Sequence, residues 1–239
     1  AWIRLKMNKI AVFGLAIIVL YIVMALVGPY MVKFDYKTND AASMDQAPNL
    51  VHWFGTDSLG RDLWVRNWMG ARVSLAIGFL ATFINSFIGI VVGGISGYFG
   101  GTIDMVIMRI IDVLYGIPTM IVAILVMVVL DSGIQSLIIA MVITGWISSA
   151  RFVSGQILQL KNQEFILAVK ALGGSSCRII VRHLIPNIMG LVITNLTMAV
   201  PIAIFTEAFL SYIGLGIKPP QSSWGQLAKY GAQNFRVFP

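Results

Sequence analysis

Residues 159–187 read QLKNQEFILAVKALGGSSCRIIVRHLIPN, the longest polar interruption in the second half of a very apolar chain. The stretch carries Lys161, Lys170, Arg178 and Arg182 against one acid, Glu164, and long apolar runs flank it on both sides. Lys and Arg near the ends of membrane spans are retained in the cytoplasm, so this loop is expected on that side. Phe165, Ala168, Val169 and Leu172 fall at i, i+3, i+4 and i+7, the apolar face of a short helix. Gly173-Gly174 stops that helix, because glycine accepts the left-handed turn after a C-cap. Ser175 or Ser176 can cap a second short helix, and Pro186 stands where the next span begins. The pattern is therefore helix, glycine elbow, helix. It is shaped either to be gripped from the cytoplasm or simply to fix topology.

The whole composition agrees with a membrane setting. The chain has 239 residues, of which 58% are hydrophobic and 11% charged. Soluble domains carry about 25% charged residues, so lipid is the solvent for most of this surface. The net charge of +7 fits basic loops around apolar spans better than a nucleic-acid partner. One cysteine, Cys177, offers neither an internal disulfide nor a metal cluster.

Outward from the elbow, five spans are expected, at about 10–32, 73–97, 105–130, 134–150 and 188–210. Each is long enough, or nearly so, for a hydrocarbon core about 30 Å thick. Arg4, Lys6 and Lys9 place the N-terminus inside. Residues 33–72 form a polar outer loop with five bases and five acids, a neutral segment that can cross. The cytoplasmic loop is expected over 151–187 and an irregular outer segment over 211–223. Gly89, Gly93, Gly97 and Gly101 recur every four residues, a face that lets another helix approach closely. Arg109 and Asp112 can pair at i, i+3, as a gate or as a snorkelling pair at the interface. Pro118 bends the third span. Glu207 near the outer end of the fifth span meets a substrate amine or reaches water. Both histidines, His52 and His183, stand alone, so no catalytic residue and no metal ligand is assigned. No phosphate-binding Gly-x4-Gly-Lys-Ser/Thr loop occurs. Nucleotide is expected to bind elsewhere.

Three stretches resemble one family. The elbow is similar to the coupling loop of ABC importer permeases: Glu-Ala-Ala, three residues, Gly, nine residues, Ile-x-Leu-Pro. Ala168, Gly173 and Pro186 match, while Leu167, Val169, His183 and Ile185 depart. Upstream, HWFGTDSLGRDLWVRNWMGARVSL resembles a motif of the oligopeptide/dipeptide/nickel branch, matching from Gly55 through Asp62 and again at Gly70, Ala71, Arg72, Ser74 and Leu75. Within it, Asp57, Arg61 and Asp62 read as loop ion pairs more readily than as substrate contacts. Downstream, EAFLSYIGLGIKPPQSSWGQL matches the same branch at Phe209, Leu210, Gly214, Leu215, Gly216, Pro219, Pro220, Ser223, Trp224 and Gly225.

The resemblance implies an all-α, polytopic bundle of the type I ABC importer kind, forming one permease domain over 1–239. It implies half of a path for di- or oligopeptides in a bacterial or archaeal cell membrane, with a nickel or metal-chelate importer as the alternative. A secondary transporter, a channel or a scaffold subunit is the reading from other classes. The implied partners are a second permease, two cytoplasmic ATPases that hold ATP and Mg, and an extracytoplasmic binding protein. Lys161, Glu164, Phe165, Ala168, Leu172, Gly173 and Pro186 would form the ATPase-coupling loop, with Phe165, Ala168 and Leu172 as its docking face. Arg109, Asp112 and Glu207 would be gate or path residues. The family has a sixth span, which the resemblance places beyond Pro239.

Overall fold

A computed structural model describes residues 6–235. Arg4, and with it part of the N-terminal charge, lies outside them. The described residues are almost entirely helical, with one isolated bridge between Thr56 and Asp62. The helices are α1 (Lys9–Val27), α2 (Leu63–Phe99), α3 (Gly101–Tyr115), α4 (Thr119–Leu130), α5 (Ile134–Leu160), α6 (Glu164–Ala171), α7 (Ser176–Ile179), α8 (Ile185–Tyr212) and α9 (Trp224–Asn234). A π turn, Ile180–Leu184, joins α7 to α8.

Four helical stretches are long and apolar enough to cross a membrane: Lys9–Tyr30, Leu63–Phe99, Ile134–Leu160 and Ser176–Tyr212. The bent pair α3 and α4 makes five when counted as one span. The protein is a multi-pass helical membrane protein.

The chain divides into two compact units, one from Ala1–Ala76 and Ala208–Pro239, the other Ile77–Glu207. In the first unit, Asp62 corrects the expected loop over 33–72. Its carboxylate accepts the Val65 amide at 2.9 Å, so α2 starts at Leu63, ten residues before the expected span. Arg66 and Arg72 suggested a loop, yet both charges are used inside the unit. Arg66 Nε lies 3.5 Å from Asp57. Arg72 donates to the carbonyls of Ala25 and Leu26, which α1 leaves unpaired at its C-terminal end. The remaining matches of the Gly-Ala-Arg-x-Ser-Leu run also pack. Gly70 lies where a Cβ would meet the Ser223 backbone at 3.2 Å, Ala71 is fully buried, and Ser74 Oγ accepts the Trp224 amide at 3.2 Å. The Asp-x-Leu-Gly-Arg-Asp turn closes on Asp57, which accepts the amides of Leu59 and Arg61 and the Arg61 guanidinium at 2.7 Å. Asp62 lies 2.8 Å from His52 Nδ1, and His52 stacks on Phe34. Asp57 and Arg61 thus hold each other across the turn, and Asp62 holds His52 and the start of α2.

In the second unit, the glycine face of α2 meets α5. A Cβ on Gly89 would strike Ser149, on Gly93 the Ala150 carbonyl and Val153 Cβ (2.9 Å), and on Gly97 the Ser154 carbonyl at 2.7 Å. Gly101 does not continue the face. Gly100, at φ +65°, turns the chain, and a Cβ on Gly101 would meet nothing from another helix within 4 Å. The third span is broken rather than bent. Pro118 cannot donate, Gly116–Pro118 leave the helix, and α3 and α4 diverge by 77°. The fourth span also differs from expectation, because α5 runs on as one helix from Ile134 to Leu160. The residues from Arg151 to Leu160 are helix because one face of them is core: Val153 and Ile157 are buried.

Candidate functional site

The elbow is built as its residues dictate. Glu164 sits in the first turn of α6 and Lys170 in the last, each complementing the helix dipole. Beyond the C-cap Leu172, Gly173 takes φ +78°. Its amide bonds the Lys170 carbonyl at 3.0 Å, and the Gly174 amide bonds Val169 at 2.9 Å. These are the two hydrogen bonds of a Schellman ending. Of the two candidate caps for the next helix, Ser175 is used, accepting the Arg178 amide. Pro186, without an amide, occupies the first turn of α8. The preceding turn widens so that the Ile185 amide reaches Ile180.

One side of this unit is fixed to the rest of the bundle. Ile166, Ile179, Leu184 and Ile188 are fully buried, in one cluster with Ile157. Lys161 Nζ donates to the Tyr98 carbonyl at 3.4 Å, and Lys170 lies over the Tyr98 ring. Tyr98 is near the end of α2, so the elbow is tied to α2, α5 and α8 together. The other side is open. Phe165 is 41% exposed, Leu167 51% and Leu172 87%, beside exposed Ala168, Arg178 and Arg182. The periodic face read from sequence is therefore split: Val169 turns inward with Ile166, while Phe165, Ala168 and Leu172 turn out.

The expected gate residues fall differently. Asp112 does not pair with Arg109. It accepts Arg151 Nη2 at 2.5 Å, from α5, and Arg151 also lies over the Tyr115 ring. Arg109 is exposed. Arg151 falls within the expected cytoplasmic loop, and only the continuation of α5 as helix brings it beside α3. Glu207, expected either to meet a substrate amine or to reach water, is fully buried within the chain. Sequence reading also missed the carboxylate of Asp104, which accepts the hydroxyls of Ser96 on α2 and Ser154 on α5. Serines at close helix crossings were the available signal.

A cavity of about 360 Å³ lies in the same unit between α2, α4, α5 and α8. Thr82, Asn85, Ser86, Thr144, Ser148 and Asn195 are among its polar lining residues. None of its lining residues is ionisable.

The chain matches the family described as binding-protein-dependent transport system inner membrane component over residues 89–237, and the N-terminal TM domain of oligopeptide transport permease C over 1–48. It is 48% identical over 239 residues to the oligopeptide transport system permease protein OppC of Bacillus subtilis, covering all of this chain and 78% of that protein. It is 48% identical to the dipeptide transport system permease protein DppC of the same organism, covering 97% and 72%. A glutathione transport system permease protein, GsiD of Escherichia coli, is 37% identical, covering 100% and 79%. Among solved structures, a chain of the inward-facing MetNI methionine ABC transporter shares the fold, with a TM-score of 0.55 at 18% identity, covering 71% of this chain and 82% of that one. By its family match and by relatives that align along nearly all of it, this chain belongs to the binding-protein-dependent transport system inner membrane components, in the branch of the OppC and DppC permeases.

Proposed function

We propose that the protein is one permease subunit of an ATP-driven importer of di- or oligopeptides, and that the elbow around Gly173 receives the motion of the ATPases. The observation that carries the substrate is the 48% identity, along the whole chain, to an oligopeptide transport permease. The elbow supports the coupling role, being fixed on its Ile166 side and open on its Phe165–Leu172 side. Phe165, Ala168 and Leu172 form the docking face, Gly173 the bend, and Lys161 and Glu164 the polar ends. Pro186 sets the start of the span that the motion reaches.

In this reading the elbow and the N-terminus face the cytoplasm, and residues 33–62 and 213–223 face outward. A second permease completes the path, two ATPases bind ATP and Mg, and a binding protein delivers the peptide. The chain performs no chemistry itself. Nucleotide shifts the bundle only because the ATPase pair binds it better in one arrangement, and the elbow passes that preference on.

The test is reconstitution of the full transporter in lipid vesicles. Labelled tripeptide should enter only with binding protein and hydrolysable ATP. Uptake that proceeds without nucleotide would assign the chain to secondary transport instead.

A further inference from the structure

We infer that the cavity between α2, α4, α5 and α8 is a transit site that holds a peptide by its backbone amides, with Thr82 and Asn85 as its reading residues. The inference rests on the peptide-importer reading above and adds where, in this chain, the peptide is held and by what chemistry. At about 360 Å³ the cavity falls at the lower end of ligand-site volumes, roughly 300–1,000 Å³. Nine of its nineteen lining residues bear a hydroxyl or a carboxamide and none bears a charge. An acyl chain would leave those polar groups without partners, and a charged side chain would find no counter-charge there. A peptide unit, with one N–H and one C=O and no net charge, matches them.

Two lining residues each carry a buried polar atom that is short of a partner. Thr82 is 4% exposed, and its Oγ1 has no hydrogen-bond partner among the described residues. Asn85 Nδ2 donates to the Met141 carbonyl at 3.4 Å, while its buried Oδ1 accepts from nothing. The two residues are three apart on α2 and so share a face. An Asn Oδ1 accepts an amide N–H, and a threonine hydroxyl can donate to the neighbouring carbonyl. The pair thus complements one peptide group whatever its side chains, and no lining residue offers a counter-charge that would favour one charged side chain over another.

The experiment uses the full transporter in vesicles, with tri-alanine and tri-lysine as probes. Asn85→Asp places a negative charge in the cavity. The ratio of tri-lysine to tri-alanine uptake should rise at least tenfold over wild type, with the binding protein unchanged. Thr82→Val keeps the shape and removes the hydroxyl. It should lower the kcat for tri-alanine about five- to tenfold, while peptide binding to the binding protein stays the same. If Asn85→Asp does not assemble, Thr82→Val decides. Variants that assemble and keep wild-type rate and ratio within twofold overturn the site, with a cavity filled only by water as the remaining account. A wild-type transporter without ATP-dependent tripeptide uptake would instead overturn the importer reading, and the site with it.

Discussion

Gly173 sits at φ +78° with no heavy atom within 4 Å of where a Cβ would lie. Space is not what demands glycine there; the left-handed backbone is, at a cost of about 1–2 kcal/mol for an ordinary residue. Gly173→Val should therefore open the Schellman ending, leaving ATP hydrolysis in the reconstituted complex but lowering peptide uptake per ATP at least tenfold. Gly173→Asn should keep most of the coupling, because Asn tolerates that conformation. The ratio of uptake to phosphate release checks both. Tyr230 carries a contact between segments far apart in sequence. Its hydroxyl accepts the Ser58 amide at 2.9 Å and donates to Asp45 Oδ1 at 3.2 Å. Burial raises its pKa, and the nearby Asp45 carboxylate adds to the rise. A raised value means the folded protein holds this proton more tightly than the unfolded chain does. That stability is complete below the ordinary value of 10.0 and is lost as pH rises through the folded value. Tyr230→Phe should cost about 1 kcal/mol at neutral pH and flatten the loss above pH 10, followed by alkaline unfolding in detergent.

Helix α2 shows that small residues matter only where a second helix sits on them. A Cβ on Gly93 would meet the Ala150 carbonyl and Val153, whereas on the adjacent Gly94 its nearest neighbour is 3.8 Å away. Gly93→Ala should lower the thermal unfolding midpoint in detergent, by the 1–3 kcal/mol or so of overpacking. Gly94→Ala should leave it unchanged or raise it slightly, through helix propensity. Of the four-residue repeat, the sequence located three working positions. It failed at Gly101 because periodicity continues through a break that Gly100 makes by its own φ. The same contrast runs through the other elements. The elbow was legible because its signals are local: an apolar period, two glycines, a capping serine. Helix ends were not, wherever a charge sat on a helix. Arg66 and Arg72 read as loop residues, and Arg151 as the edge of one. Two of these charges are answered by groups far along the chain, Arg72 by α1 and Arg151 by Asp112, which no window of sequence displays. The Thr82–Asn85 pair was missed for a related reason, since isolated polar residues in a span announce nothing until neighbouring helices enclose them.

Across the Ile77–Glu207 unit as a whole, the elbow and the cavity share helices. Ile166 and Ile179 fasten the elbow to α5 and α8, and both helices continue to the cavity walls. If the elbow transmits motion, two kinds of damage should separate. Phe165→Asp charges the open face without touching the core, so the ATPases should no longer co-purify and hydrolysis in the mixture should fall to that of free ATPase. Ile166→Ala leaves the open face intact but removes a fully buried side chain, a change that costs about 2–5 kcal/mol in a packed core. There the ATPases should still co-purify and still hydrolyse ATP. The loosened elbow would move without carrying α5 and α8, and peptide uptake should fall at least tenfold. Co-purification from detergent and the uptake-to-hydrolysis ratio in vesicles read the two effects independently. If Ile166→Ala kept normal uptake per ATP, the bolted side of the elbow would have no part in transmission, and the motion would have to enter the bundle elsewhere.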